Sequence, residues 1–321
     1  MQQRMRALGE AGSPFADGVV QYSLTKGEAW ANDAFLNIIA SSGFDTTGLS
    51  SQVTDGGSQA MELCLVGCCG PAGTDERPLL LIDAAYTNYN AFAARLGRKT
   101  VSISRTLGED GRFSLPAMDD IRALVEKTRP GALVVIPYDN PTGQLYARET
   151  MVELARLCAV HGLWMISDEA YRELHYGDVN TVSIWDIGED EVPGITGRRI
   201  SIETASKVFN ACGLRIGALV TDNQDYHQRA DAETTASICS NHIGQWIVGS
   251  LAELSTVALQ DWYEQQRNYY RKMMVGFTSD MAALLPGAIV SRPDASIYSV
   301  VDVREIAKQG FDALQFVLWC A

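Results

Sequence analysis

The chain has 321 residues, of which 46% are apolar, and a formal net charge of −13 from 39 acidic and 26 basic residues. This length exceeds one typical hydrophobic core, and the acidic balance argues against nucleic acid and anionic membrane as partners. No apolar run approaches the roughly twenty residues of a membrane span. The odd number of cysteines, seven, favours reduced thiols in the cytoplasm. Cys64 and Cys68 lie one helical turn apart, but the four histidines are scattered and no second ligand pair is present, so we predict no metal site.

In chain order, the first informative unit is the turn Gly56–Ser58, which opens an amphipathic helix that we expect from Thr54 to about Cys69. Backbone N–H groups at such a helix start, together with the helix dipole, favour a bound anion. Most turns of this kind only interrupt the chain, so the turn alone decides little. The next predicted strand leads to two tyrosines, Tyr86 and Tyr89.

A strand–helix–strand unit occupies the middle of the chain. Residues 132–137 form a continuous apolar run that predicts a buried strand, and Leu163–Ser167 predicts another after an intervening helix. This order implies a parallel sheet with a right-handed crossover, in which ligands collect at the carboxyl ends of the strands. Three polar residues follow those ends, namely Asn140, Asp168 and Tyr171.

Lys207 follows a third predicted strand, Arg199–Ile202, and has Val208 and Phe209 directly after it. An apolar pocket disfavours the charged form of a lysine and yields an amine nucleophile of the kind that forms a Schiff base with a carbonyl. The ordinary alternative is an incidental lysine at a helix start. Arg215 lies eight residues further on, inside a Gly-x-Arg-x-Gly sequence.

The last third of the chain predicts helices and then a small mixed domain. Apolar residues recur at helical spacing from Trp246 to Val257. Two segments are typical of strands, 287–290 and 296–301, and 311–320 is typical of an amphipathic helix.

Taken together, the central motifs resemble the class I/II aminotransferases, which are fold-type I pyridoxal-phosphate enzymes. The resemblance is carried by Asn140-Pro141-Thr142-Gly143, Asp168-Glu169-Ala170-Tyr171 and Ser206-Lys207 with Gly213-x-Arg215-x-Gly217. Their order and spacings match, clearly from about Val53 to Val220 and more loosely to about Val303. The resemblance implies a large α/β domain with a mostly parallel seven-stranded sheet flanked by helices, and a smaller α+β domain.

This resemblance also sets the expected domain limits. We expect the large cofactor-binding domain over residues 51–223 and a linking helical region over 224–275. The smaller domain is expected from residues 1–50 together with 276–321, with its C-terminal part incomplete.

The resemblance further implies pyridoxal 5′-phosphate as the cofactor and assigns a role to each motif residue. Lys207 is expected to form the Schiff base and to shuttle the proton, and Asp168 to pair with the pyridine nitrogen. Asn140 and Tyr171 are expected to hydrogen-bond the phenolic oxygen, with Tyr171 counted among the catalytic residues. Arg215 suits the phosphate because its planar guanidinium binds oxygen pairs.

The remaining cofactor contacts follow from the same resemblance. An aromatic ring stacks on the pyridine in the family, and Tyr86 is the expected residue here, with an ordinary core or rim tyrosine as the alternative and Tyr89 as the nearest competitor. Five further residues are expected at the phosphate through hydroxyl or phosphate-loop contacts: Thr204, Ser206, Gly57, Ser58 and Gln59.

The function implied is transfer of an amino group between an amino acid and a 2-oxo acid by a ping-pong mechanism, in a homodimer. A β-lyase or decarboxylase with the same cofactor cradle is the alternative, and a non-catalytic binding or regulatory relative is a second. No residue up to Ala321 matches the family arginine that binds the substrate carboxylate, and the tyrosine that reaches the neighbouring subunit's phosphate is not assigned. The substrate pair therefore stays open.

Overall fold

A seven-stranded sheet forms the centre of the protein in the computed structural model, which describes residues 1–71, 77–177 and 180–320. The strands in chain order are β1 (Ser50–Asp55), β2 (Leu79–Asp83), β3 (Thr100–Ser104), β4 (Thr106–Leu107), β5 (Phe113–Ser114), β6 (Ala132–Val135), β7 (Trp164–Asp168), β8 (Arg199–Thr204), β9 (Ile216–Thr221), β10 (Ile289–Val290) and β11 (Val301–Asp302). The sheet order is β1-β9-β8-β7-β6-β2-β3, and two further two-stranded sheets pair β4 with β5 and β10 with β11.

Five neighbouring strands of the sheet run parallel to one another, namely β3, β2, β6, β7 and β8. Strand β9 is antiparallel to both of its neighbours, β8 and β1. The prediction of a mostly parallel seven-stranded sheet is therefore confirmed. Asp55 pairs with Ile216, and Thr204 pairs with Gly217. The end of β1 and the start of β9 thus lie at the same sheet edge as the carboxyl ends of the parallel strands.

The α-helices of the described residues are α1 (Gln2–Arg6), α2 (Ala29–Ser41), α3 (Gly56–Cys68), α4 (Asn88–Arg95), α5 (Met118–Thr128), α6 (Arg148–His161), α7 (Gln224–Thr234), α8 (His242–Gly249), α9 (Thr256–Leu284) and α10 (Ala313–Cys320). Across these ranges, no helix combines the length and the apolar character that crossing a membrane requires.

Helices cover both faces of the sheet, which is why its central strands are apolar on successive residues. In β2, Leu79 and Leu81 belong to an apolar cluster that includes α3, whereas Leu80 and Ile82 belong to the opposite cluster, which includes α6. All four residues of β6 are buried. The core is therefore two layers of helices on one sheet, and the polar residues after the strand ends are free to face a cleft.

Two predicted elements differ in the structure. The helix expected from Thr54 begins at Gly56, because Thr54 and Asp55 belong to β1. The strand expected over 296–301 is wrong except at its last residue. Ser296 has a left-handed backbone with a φ of 55°. Its N–H donates to the carbonyl of Leu174 at 2.8 Å, so this segment is held against the loop that follows β7 and does not extend as a strand.

Candidate active site

A cleft with a volume of about 200 Å³ lies at the edge where the parallel strands end. Most of the predicted site residues line it, as follows: Gly57, Ser58, Tyr86, Asn140, Asp168, Tyr171, Thr204, Ser206, Lys207 and Arg215. The exception is Gln59, whose Oε1 accepts the backbone N–H of Asp55 at 2.7 Å instead. The structure thus brings together residues that are up to 158 positions apart in the chain, from Gly57 to Arg215.

Asp168 ends β7 and is partly exposed to the cleft. Burial raises the pKa of its carboxyl, and hydrogen bonds from the Tyr89 hydroxyl and the Ala170 N–H act in the opposite direction. The Tyr89 hydroxyl is 2.6 Å from Oδ2, and the Ala170 N–H donates to Oδ1 at 3.2 Å. A positive charge facing this carboxylate would favour its ionised form, as a protonated ring nitrogen does.

Tyr89 is fully buried, and its ring meets the ring of Tyr86 edge-on at 5.5 Å between centroids. Tyr86 is the one of the two that is partly exposed in the cleft. Of the two tyrosines, therefore, Tyr86 presents its surface to a ligand and Tyr89 holds the carboxylate. The contact between Tyr89 and Asp168 is not visible in the sequence, where Tyr89 is only the competitor of Tyr86 for the stacking position.

Tyr171 and Tyr298 form a hydroxyl pair in the cleft, with their oxygens 2.6 Å apart. The side-chain amide of Asn140 donates a long hydrogen bond of 3.5 Å to the Tyr171 hydroxyl. Burial and the Tyr298 hydroxyl together raise the pKa of Tyr171, so its phenol stays protonated and is available as a donor. Tyr298 is not among the predicted site residues, because it lies in the segment 296–301 that is typical of a strand.

Lys207 lies in a tight turn after β8, not at a helix start. Its carbonyl accepts the N–H of Asn210 at 3.1 Å, and Asn210 has a positive φ of 52°. Val208 and Phe209 are buried, as expected, and the indole N–H of Trp262 donates to the Val208 carbonyl at 2.8 Å. The residues after Lys207 are therefore anchored in the core, while Lys207 itself is partly exposed to the cleft.

Arg215 closes the other end of the cleft against the start of α3. A Cβ atom added at Gly56 would lie 2.5 Å from Nη2 of Arg215, so only glycine allows the guanidinium to pack here. No side chain caps this helix start. The Thr204 hydroxyl donates to the Ser206 hydroxyl at 2.7 Å. A guanidinium, two hydroxyls and a helix start together form an arrangement suited to a phosphate group.

Behind the cleft, Arg172 joins the end of β7, where Asp168 lies, to the end of β8, which precedes Lys207. Its Nη2 lies 2.6 Å from Glu169 and 2.7 Å from Glu203, and all three side chains are buried. Glu169 directly follows Asp168, and Glu203 precedes Lys207 by four residues. The pKa of Glu169 is raised to about 7, chiefly by burial, with Arg172 opposing that effect. This network holds the ends of β7 and β8 together.

The remaining lining of the cleft is apolar or weakly polar, and sequence analysis did not anticipate it. Met61, Phe92 and Ile136 form part of the wall, and Cys212 lies near Arg215. Over the described ranges, no group of three or more His, Cys, Asp or Glu side chains is arranged to hold a metal ion. The polar lining of the cleft consists of one amine, one acid, one guanidinium, one amide and several hydroxyls.

The fold and the cleft define a fold-type I pyridoxal-phosphate enzyme scaffold. The family model described as aminotransferase class I and II matches residues 46–317, and the chain belongs to this family. The aspartate/prephenate aminotransferase of Thermus thermophilus is 27% identical over 280 residues, which cover 86% of this chain and 67% of that protein. The chain spans between about half and two thirds of the length of the first curated relatives, from 51% to 67%.

Solved structures agree on the fold. An alanine aminotransferase from Pyrococcus furiosus has a TM-score of 0.81 at 20% identity, covering 99% of this chain and 76% of its own. A pyridoxal-phosphate-bound C–S lyase from Staphylococcus hominis has a TM-score of 0.76 at 18% identity, covering 96% of this chain and 73% of its own. At these identities the likeness shows the fold, and the same fold is found in a transferase and a lyase.

Proposed function

We propose that this protein is a pyridoxal-phosphate-dependent aminotransferase that moves an amino group between an amino acid and a 2-oxo acid by a ping-pong mechanism. The observation that carries the proposal is that Lys207, Asp168 and Arg215 line one cleft at the carboxyl edge of the sheet. A covalent amine, an acid for a ring nitrogen and a cation for a phosphate are the three groups that this cofactor requires. Family membership supports transfer as the reaction.

The residues present fit the cofactor from one end to the other. Arg215, Thr204, Ser206 and the start of α3 would hold its phosphate, and Gly56 leaves room for the Arg215 guanidinium there. Asp168 would face the ring nitrogen, because its carboxylate lies in the cleft with both oxygens already oriented by protein donors.

Further groups in the cleft are suited to contact the phenolic oxygen and one face of the cofactor ring. Asn140 and Tyr171, which lie within hydrogen-bonding reach of each other, would bind the phenolic oxygen. Tyr86 would cover one face of the ring, since it is the partly exposed member of the tyrosine pair.

Bound pyridoxal phosphate supplies an electron sink for charge that develops at the substrate α-carbon. The protein's part is to place acids and bases around that carbon. Nζ of Lys207 would take the proton from the substrate α-carbon and deliver it to the aldehyde-derived carbon of the cofactor, since Lys207 is the amine that lines the cleft. Asp168 in its ionised form would keep a facing ring nitrogen protonated, and the buried Tyr89 holds the carboxylate in place.

A second candidate function is a carbon–sulfur or other β-lyase, and the structural likeness to a C–S lyase favours it as the alternative. The two reactions share the cofactor-binding residues and differ in groups around the substrate. The cleft residues named above have roles toward the cofactor, and none of them is assigned to the substrate carboxylate. The identity of the amino acid and the 2-oxo acid therefore stays open. A non-catalytic relative would have no use for an amine, an acid and a phosphate-binding arginine in one cleft.

We also propose a homodimer in the cytoplasm. An apolar groove of about 870 Å³ runs beside the Lys207 turn, lined by residues that include Ala211, Leu214, Leu251 and Trp262. Burial of such a groove against a second copy would be favourable, and closed two-fold dimers are the commonest oligomers. The six cysteines whose side chains the structure describes are free thiols, which supports a reducing compartment.

The deciding experiment is a half-reaction screen with purified protein and added pyridoxal phosphate. Amino acids are supplied with 2-oxoglutarate, and glutamate, pyruvate and ammonia are measured. Glutamate formed in proportion to amino acid consumed supports transamination. Pyruvate and ammonia without an acceptor identify a lyase, and a protein that takes up no cofactor favours a non-catalytic relative. Lys207→Ala is the matched control and should form no product in any arm.

A further inference from the structure

Arg105 and Asp139 form a buried ion pair at the edge of the cleft. Nη1 of Arg105 lies 2.9 Å from Oδ2 of Asp139, and Nη2 donates to Oδ1 at 3.1 Å. Both side chains are only 2% exposed. Removing two charges from water is costly, so a buried pair of this kind is a weak argument for stability by itself. Its two-point geometry, however, fixes the orientation of both partners.

The arginine holds the loop that carries Tyr86. Arg105 follows β3, and its backbone N–H donates to the carbonyl of Asp83 at 2.6 Å. Its guanidinium also donates to the carbonyl of Ala84, two residues before Tyr86. The same side chain therefore contacts both the Tyr86 loop and the Asp139 carboxylate.

The aspartate holds two other parts of the cleft. Asp139 immediately precedes Asn140, and Oδ1 accepts the N–H and the hydroxyl of Thr142 at 3.1 and 2.7 Å. The carbonyl of Asp139 accepts the hydroxyl of Ser296 at 2.7 Å, two residues before Tyr298. Asp139 is thus the junction between the Asn140 loop and the segment that brings Tyr298 to Tyr171.

We propose that the Arg105–Asp139 pair is a positioning device for the cofactor: it sets Tyr86, Asn140 and Tyr298 relative to one another. The inference rests on the proposed function, since Tyr86 and Asn140 are assigned to the cofactor ring and Tyr298 is hydrogen-bonded to Tyr171, which is assigned to it as well. Neither charge lines the cleft, so the pair acts through the loops that it joins and not by contact with a ligand. Disturbing it should displace the ring contacts while leaving Lys207 and Arg215 in place.

The test measures cofactor binding and the absorbance of the bound cofactor in Asp139→Asn and in the double variant Arg105→Met/Asp139→Leu. The double variant removes both charges, which buried pairs often tolerate without loss of stability, so it provides a folded protein if the single variant unfolds. The matched control is Asp222→Asn. Asp222 pairs with Arg199 at 2.7 Å at the opposite end of β8, and both side chains are largely buried.

We expect the dissociation constant for pyridoxal phosphate to rise about tenfold or more in both Asp139 variants, because small misplacements of positioned groups are costly. The pH at which the absorbance of the bound cofactor changes should shift as well, an effect that a purely structural pair would not cause. Asp222→Asn should lose stability, but its dissociation constant for pyridoxal phosphate and the pH of its absorbance change should equal those of the wild type. Wild-type binding and absorbance in the folded Asp139 variants would overturn this inference alone. A wild-type protein that binds no pyridoxal phosphate would overturn the proposed function and this inference with it.

Discussion

The hydroxyl of Tyr89 lies 2.6 Å from Oδ2 of Asp168, a distance typical of a charge-assisted O–H···O⁻ hydrogen bond. Tyr89 is fully buried in α4, and Asp168 ends the neighbouring layer's strand β7. The pKa of Tyr89 is raised well above its ordinary value, by burial first and then by Asp168, so the phenol remains a donor. The pair therefore holds the carboxylate in one orientation toward the cleft.

Tyr89→Phe removes this hydrogen bond and leaves the ring in place. A hydrogen bond to a charged group contributes about 1.5–3 kcal/mol, so we expect kcat/KM to fall about ten- to a hundredfold with pyridoxal phosphate still bound. Tyr226→Phe is the control, because Tyr226 is also buried and donates to the Leu63 carbonyl at 3.0 Å in the α3 layer. Equal loss of activity in both variants would show that Tyr89 acts only through stability.

Gly56→Ala tests the phosphate end of the cleft. Gly56 has a φ of +64°, and an added Cβ would lie 2.5 Å from Nη2 of Arg215, so the arginine must move away. We expect weaker binding of pyridoxal phosphate and a loss of about 1 kcal/mol in the free energy of unfolding from the left-handed backbone.

Gly276→Ala is the control for that variant, because Gly276 lies exposed within α9 with nothing near the added atom. It should raise the free energy of unfolding by about 0.5–1 kcal/mol and leave cofactor affinity unchanged. Unchanged cofactor affinity in Gly56→Ala would contradict the placement of the phosphate beside Arg215.

His175 gives a prediction for pH. Burial, with Arg267 and Arg271 nearby, lowers its pKa from 6.5 to about 4, and Glu173 is 3.9 Å from its Nε2. Between these values the unfolded chain binds more protons than the folded one. The contribution of His175 to stability is therefore complete above pH 6.5 and is lost as the pH falls toward 4.

Urea unfolding of the wild type and of His175→Gln, measured across that range, tests the assignment. The free energy of unfolding should fall less steeply with decreasing pH in the variant. The difference between the two slopes should be at most the slope that corresponds to the binding of one proton on unfolding. The same slope in both proteins would mean that folding does not lower the pKa of His175.

Local motifs predicted much of the site because their residues directly follow strand ends. Asn140, Asp168 and Tyr171 were placed at one edge by the rule that ligands collect at the carboxyl ends of parallel strands. Lys207 was placed there by a third strand of the same kind, and all four line the cleft. The seven-stranded sheet, which the family resemblance implied, is confirmed.

Contacts that join distant segments were not predictable from local patterns. Arg105 and Asp139 are 34 residues apart and meet only because β3 and β6 lie on either side of β2. Tyr298 enters the cleft because of the left-handed backbone at Ser296, which an alternating sequence pattern does not reveal. The division into 51–223, 224–275 and a smaller domain stays a prediction, as do the individual roles of the site residues.

Lys207 is the residue on which the proposed cofactor chemistry most directly depends. The protein is loaded with pyridoxal phosphate, treated with borohydride to fix any imine bond, digested and analysed by mass spectrometry. A phosphopyridoxyl group on the peptide that contains Lys207, absent from the Lys207→Ala variant, is the predicted result. Labelling of a different lysine, or no labelled peptide at all, would contradict the central claim.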